Sequence, residues 1–289
     1  MSREFAALVL THGRPNNVKT VESLRRHGYT GRIFLVVDDE DKALPEYQKN
    51  FGNDIVKVFS KKEVAETMDE MELSPDRRTV VYARNACQGI AEKEGLTHYV
   101  QLDDDYQWFE HRRVENGRLM SYKACHLDEV FAAFCDFLDS TPTLTIAMAQ
   151  GGDFIGGAGN SFWYYGIRRK AMNSFFCRTD RPFKFIGRIN EDVNTYAKLG
   201  NLGGLFFTAT NFSLVQQETQ QNSGGMTDTY LQGGTYMKSF PTVMLVPSAV
   251  KVREMSTSKG VSRLHHVINW QRAVPKIIAE KYRKSEAGE

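Results

Sequence analysis

The chain has 289 residues, a net charge of +2 and 41% hydrophobic residues, which allows a substantial core and excludes wholesale disorder. No apolar run approaches the ~20 residues needed to cross a bilayer, and Met1–Phe5 lacks the basic-then-apolar layout of a signal peptide. No membrane association is expected. Cys87, Cys125, Cys135 and Cys177 show no Cys-x-x-Cys spacing, and Cys125 and Cys135 fall in a stretch that reads as helical. This argues against a zinc site or a disulfide framework and for four reduced, buried thiols in a cytoplasmic protein.

The small net charge hides an asymmetry. Ser161–Arg188 carries seven Lys/Arg against Asp180 alone, and Lys251–Glu289 carries nine against four acids. These segments hold +6 and +5, so the chain total of +2 leaves −9 for everything else. Such a division fits an acidic site beside surfaces that accept a polyanion.

In chain order, Phe5–Leu10 reads as a strand, Asn17–His27 as a helix, Arg32–Val37 and Ile55–Phe59 as strands. Thr79–Glu94 is helical by its apolar spacing, and Thr97–Leu102 is a strand that ends directly in Asp103. This alternation predicts an α/β fold with a mainly parallel, Rossmann-like sheet flanked by helices. Ligands of such sheets sit beyond the carboxyl ends of the strands, where Thr11–Arg14, Asp38–Asp41 and Asp103–Asp105 all fall. Tyr106–Arg113 and Leu119–Tyr122 flank Glu115-Asn116-Gly117, a hairpin signal. Leu127–Leu138 reads as a helix, Thr143–Ala149 as a strand, and Gly151–Asn160 as a glycine-rich loop. Asn190–Leu199 reads as a helix stopping at Gly200, followed by a smaller mixed β region and a basic helix over Trp270–Lys284. A single domain over residues 1–289 is expected, with a nucleotide-binding half (1–105), an acceptor-side half (106–250) and a basic C-terminal extension (251–289).

Asp103-Asp104-Asp105 is the strongest chemical feature. Three consecutive carboxylates repel one another, and a divalent ion that shares diphosphate oxygens needs only one or two protein ligands. A solvated acidic turn is the bland alternative. Asp38 and Asp39 form a second acidic strand end, suited to a base or ribose or simply to a surface turn. In Thr11-His12-Gly13-Arg14-Pro15, Gly13 permits close backbone approach and Arg14 suits a diphosphate or base, or the segment is a plain strand-to-helix turn. Arg84 and Asn85 interrupt an apolar helix face and either reach the site or face solvent. Asn190-Glu191-Asp192 opens a helix; its spacing favours ordinary capping, and its chemistry allows a general base. His265 and His266 precede the basic helix, and in an extended segment they face opposite sides. Between residues 162 and 188, Trp163, Tyr164, Arg168 and Arg169 belong to a basic, aromatic stretch suited to stacking bases and neutralising phosphates, or to a core with a solvated face.

Taken together, the segments resemble the GT-A glycosyltransferases, and more closely the TET-associated glycosyltransferases of phages. The resemblance rests on Thr-His-Gly-Arg-Pro (11–15), Ala-Arg-Asn-Ala (83–86), Gln-Leu-Asp-Asp-Asp-Tyr (101–106), Gly-Arg-Ile-Asn-Glu-Asp-Val-Asn (187–194), Gly-Gly-Met-Thr (224–227) and Arg-Leu-His-His (263–266), across nearly the whole chain. It implies transfer of a sugar from a nucleotide sugar, expected to be a UDP-sugar, to 5-hydroxymethylcytosine in phage DNA, in the cytoplasm of the infected bacterium. It implies Mn²⁺ or Mg²⁺ held by Asp105 and Asp103 and completed by His265 or His266. Thr11, Gly13, Arg14, Asp38, Asp39, Arg84, Asn85, Asp103 and Asp104 would bind the donor, with Asp104 near ribose or sugar. Asp192 or Glu191 would act beside the acceptor, Asp192 as the base of an inverting reaction or as a substrate-orienting group in a retaining one. Trp163, Tyr164, Arg168 and Arg169 would contact DNA. Three rivals remain: a glycosyltransferase with a saccharide or protein acceptor, a sugar nucleotidyltransferase, and a non-catalytic DNA-binding module.

Overall fold

Phe5-Ala-Ala-Leu-Val-Leu10 is apolar at every position, as a strand covered on both faces requires. In the computed structural model, which describes residues 3–71, 77–159, 167–216, 239–256, 262–273 and 279–280, this segment is β1 (Phe5–Leu10) at the heart of the sheet. Its side chains alternate between two cores. Ala6, Leu8 and Leu10 pack on the side of Val81, Tyr82 and Cys87, whereas Ala7 and Val9 pack on the side of Leu24, Leu127 and Phe131.

The chain proceeds through α1 (Lys19–Arg26), β2 (Arg32–Asp38), α2 (Leu44–Phe51), β3 (Val56–Phe59), α3 (Lys61–Ala65), α4 (Val81–Lys93) and β4 (His98–Asp103). Strands β3, β2, β1 and β4 lie side by side and parallel, the parallel half that the alternation predicts. Helices α2 and α3 are not legible in the sequence: α2 buries only Tyr47 and α3 is five residues long, so neither carries an apolar stripe.

The second half is mixed. The predicted hairpin forms from β5 (Tyr106–Glu115) and β6 (Arg118–Lys123). Then come α5 (Leu127–Ser140), β7 (Thr145–Ala149), the two-residue β8 (Ile167–Arg168) and β9 (Phe175–Arg178). Helix α6 (Glu191–Asn201) and β10 (Phe206–Gln216) follow. The sheet continues from β4 as β9, β7, β10, β5 and β6, and β9 runs antiparallel to both its neighbours. A separate hairpin of β11 (Val250–Ser256) and β12 (Ser262–Ile268) leads into a single turn, α7 (Trp270–Ala273), whose Trp270 stacks on Tyr196 of α6. The rest of the helix expected up to Lys284 falls almost wholly outside the described residues.

Two details correct the sequence-based expectation. Cys125 is exposed and precedes α5, while the other three cysteines are buried and all four are free thiols. Helix α6 runs through Gly200 to Asn201, because Gly200 is buried against the core rather than ending the helix. No helix among the described residues is long and apolar enough to cross a membrane.

Candidate active site

The parallel register of β1 with β2 and β4 sets Leu10 opposite Val36 and Asp103. The three polar strand ends therefore meet along one edge. The first turn of α1 clamps the acidic turn there: Thr20 donates its hydroxyl to the Asp103 carbonyl at 2.5 Å, its amide binds the Asp104 carbonyl at 3.1 Å, and its oxygen accepts the Tyr106 amide at 2.9 Å. Asp104 is buried and doubly held, by the Thr11 hydroxyl at 2.7 Å and by Arg14 Nη1 at 2.9 Å. Tyr47 completes a relay, accepting the Arg14 amide at 2.7 Å and lying 2.8 Å from Thr11 Oγ1. Burial pushes the Tyr47 hydroxyl up to about 12, so it stays a neutral donor.

The second acidic cluster is neutralised from within. Asp38 is buried between Lys61 Nζ at 2.9 Å and His12 Nδ1 at 2.7 Å. Burial works against its charge, but His12 and Lys61 outweigh it and hold the carboxyl below its ordinary value. The hydrogen bond to Asp38 in turn raises His12, whose ring remains 57% exposed. Asp41 accepts the Gly13 amide at 2.7 Å, where Gly13 has φ +68°, and Asp39 accepts the Lys61 amide at 3.0 Å. Asp38 thus has no spare oxygen facing solvent, and Asp39 is the exposed acid of the pair.

Arg84 joins distant parts of the chain. It lies in α4 with its side chain 2% exposed; Nη2 donates to Asp103 Oδ1 at 3.0 Å and Nε to Glu191 Oε1 at 3.0 Å. Burial alone would lower its pKa, yet Asp103 and Glu191 outweigh burial and raise it. Asn85, its expected companion at the donor, instead brackets Phe185: it accepts the Phe185 amide at 2.7 Å and donates to the Phe185 carbonyl at 3.1 Å. Gln88 of α4 to the Thr179 carbonyl and Thr79, just before α4, to the Arg188 carbonyl continue this seam. The seam pins residues 179–190 and delivers Glu191 and Asp192 to the edge occupied by Asp103.

The helix opened by Asn190 is not capped in the usual way. Asn190 is left-handed, with φ 56°, makes no side-chain cap, and donates to Thr242 Oγ1 at 3.2 Å. Asp192 instead takes up a free amide of the first turn, its Oδ1 accepting from Val193 at 2.7 Å. Burial raises both carboxyls; Glu191 is raised further by Asp192 and opposed by Arg84, while Asp192 is opposed by Arg84 and Lys170. Lys170 is itself buried against Asp153 at 2.5 Å, beside the glycine-rich turn of residues 151–154.

Asp105 differs from its neighbours. Burial, then the charges of Asp103 and Asp104, push its carboxyl up to about 7. Three acids here face two guanidinium groups, those of Arg14 and Arg84, an oxygen-rich and under-neutralised set suited to a hard divalent cation. Among the described residues, no group of three or more His, Cys, Asp and Glu could hold a metal by itself. His265 and His266 lie on β12 opposite Arg253 and Val252, and their rings approach to 4.4 Å between centroids. They do not splay apart as strict strand alternation predicts.

In the described part of the basic stretch, the aromatics follow the core alternative. Phe175, Phe176 and Phe185 are core residues, and Phe176 stacks on Phe134 at 4.5 Å. Arg181 donates to the carbonyls of Leu138, Thr141 and Thr143, Lys184 to that of Thr67, and Arg178 pairs with Asp139 and Asp180. These cations bind the protein itself. Arg169 is half-buried over Phe207. Trp163, Tyr164 and residues 224–227 lie outside the described residues, as does the side chain of Arg168.

His12, Tyr47, Lys61 and Lys170 are site residues that the sequence pattern does not single out. The strand-end rule could have found Lys61, two residues past β3, whereas Tyr47 sits in a helix that leaves no sequence signal.

The sequence profile of the TET-Associated Glycosyltransferase family matches residues 5–225. No curated protein matches the chain. Among solved structures, the chain is similar to TarS 1–349 of S. aureus (15% identity, 74% of this chain and 60% of that one, TM-score 0.43). It is also similar to the mannosyltransferase PcManGT of Pyrobaculum calidifontis, in complex with GDP-Man and Mn²⁺ (11%, 77% and 59%, TM-score 0.46). A third is glucosyl-3-phosphoglycerate synthase of Mycobacterium tuberculosis, in complex with Mn²⁺, UDP and phosphoglyceric acid (9%, 93% and 88%, TM-score 0.47). The chain thus spans less than two thirds of the TarS fragment and of PcManGT.

Proposed function

The chain belongs to the TET-Associated Glycosyltransferase family, and on that premise we propose that it moves a sugar from a nucleotide sugar, a UDP-sugar, to the hydroxymethyl group of 5-hydroxymethylcytosine in DNA. One observation carries the reading: Arg84 binds Asp103 and Glu191 at once, so the acidic turn and the acid pair of α6 share one site. Asp103 and Asp105 would hold Mn²⁺ or Mg²⁺ together with oxygens of the donor diphosphate; His265 or His266 would have to approach them to serve as a further ligand, since the described residues do not assemble such a group. When bound, the cation offsets charge on the departing nucleoside diphosphate. Arg14, fixed by Asp104, faces the same leaving group, and Asp39 and His12 lie at the nucleoside end.

Asp192 would take the proton from the hydroxymethyl oxygen as that oxygen attacks the anomeric carbon. Its raised pKa makes it a stronger base than an exposed carboxylate. If the anomeric centre is retained, the same carboxylate orients the acceptor instead. Incubating hydroxymethylated DNA and Mn²⁺ with a panel of nucleotide sugars, followed by mass analysis of the nucleosides, tests the reading. A mass increase of one sugar is expected, and its absence with every donor, or full transfer in excess EDTA, would defeat it.

A saccharide acceptor is the second reading. It is favoured by the internal use of Arg178, Arg181 and Lys184, which removes cations that would otherwise grip phosphates. Transfer to a carbohydrate, with DNA binding lost at moderate salt, would establish it over the first.

A further inference from the structure

Resting on that reading, we infer that Arg84 is a positioning residue that fixes the acid pair of α6 relative to the acidic turn, and that it does not bind the donor. A side chain 2% exposed offers no face to a nucleotide. Two of its nitrogens are committed to carboxylates, Nη2 to Asp103 and Nε to Glu191, each at 3.0 Å. The third, Nη1, is buried without a hydrogen-bond partner among the described residues, and the guanidinium lies 4.8 Å from the Phe175 ring centre and 5.9 Å from that of Phe185. Packing against rings fixes where the planar fork points.

The two carboxylates come from different parts of the fold. Asp103 ends β4, and Glu191 begins α6 after the return path of residues 179–190. Asp192 is the next residue on the same first turn, and its Oδ1 accepts only its neighbour's amide, from Val193 at 2.7 Å, among the described residues. Its place relative to the acidic turn therefore follows from the helix that Glu191 anchors. A displacement of about 1 Å between reacting groups costs on the order of 100-fold in rate, so a strut of this kind governs turnover while leaving donor affinity alone.

The test compares Arg84→Lys, which keeps the charge but loses the fork, and Glu191→Gln with the wild type. Three quantities are measured: steady-state sugar transfer, UDP binding by calorimetry, and the Arg84 Nε–H resonance by NMR. For Arg84→Lys, kcat is expected to fall at least tenfold, with donor KM and UDP affinity within about twofold. In the wild type the Nε–H should exchange slowly with solvent, and Glu191→Gln should shift it and speed its exchange. A raised donor KM with kcat intact would overturn the inference and return Arg84 to the donor. So would an unchanged kcat in Arg84→Lys, or an Nε–H indifferent to Glu191→Gln. If the wild type transfers no sugar while the NMR coupling and UDP binding hold, the assigned reaction fails and the strut stands. If the wild type is active and the coupling is absent, the reaction stands and the strut fails.

Discussion

Two acidic clusters close the parallel strands on either side of β1, and only one of them is electrostatically settled. At the end of β2, Asp38 has Lys61 and His12 at bonding distance, and backbone amides occupy Asp39 and Asp41. At the end of β4, Asp104 and Asp103 each have one arginine, whereas Asp105 has none and is pushed up to about 7. In sequence the clusters look alike. The difference lies in which cations the fold brings to them, and it leaves Asp105 the under-neutralised acid of the two strand ends.

The contrast breaks most visibly at Asp105. Asp105→Asn should lower sugar transfer by about 1,000-fold, the scale of losing a central electrostatic contributor, whereas Asp39→Asn should act mainly on donor KM. Asp38→Asn should instead cost about 3 kcal/mol of folding stability in a denaturant titration, because it leaves Lys61 buried without its carboxylate. Asp38 lies below its ordinary pKa, so its contribution is present at neutral pH and is lost as pH falls into the acid range.

Asp105 has the opposite sign. Its folded pKa is raised, so the metal-free protein loses stability as pH climbs from about 4 through 7. Asp105→Asn should therefore raise the melting temperature of metal-free protein at pH 8 by about 2–4 °C, a gain on the order of 1 kcal/mol after discounting for partial exposure. Mn²⁺ with UDP is expected to raise the melting temperature of the wild type, and Asp105→Asn to abolish that shift. His12→Gln should show the smallest effect, about 1 kcal/mol. Since Asp38 raises His12, that contribution is present below the histidine's unfolded pKa and fades as pH rises through the folded one.

Much of the parallel half is legible in the sequence because it obeys local rules: an apolar run fully buried is a strand, and the polar residues after it gather at the carboxyl edge of the sheet. Strand β1 and the turn at Asp103 follow from composition and position alone. Arg84 is ambiguous, since a polar residue on an apolar helix face is equally a surface residue until the 107-residue separation to Glu191 is closed by folding. Asn85 departs from its expected role for the same reason. Its neighbour faces the acids, while it serves the backbone at Phe185. The basic stretch stays two-sided in the sequence because a count of cations cannot say whether carbonyls or phosphates will satisfy them, and Arg181 meets three carbonyls of its own chain.

Strand β9 enters the sheet against the direction of β4, starting opposite Gln101 and finishing opposite His98. The polypeptide then stands at the wrong end of the molecule and must climb back beside α4 before Glu191 can meet Arg84. The span of that climb, residues 179–190, is tied to Thr79, Asn85 and Gln88 and sets where the acid pair arrives. Shortening or lengthening it is expected to shift the acid pair relative to Asp103, while the upstream contacts of Arg14 with Asp104 and of Lys61 with Asp38 keep their geometry. Relatives that serve bulkier or slimmer acceptors are expected to differ there first.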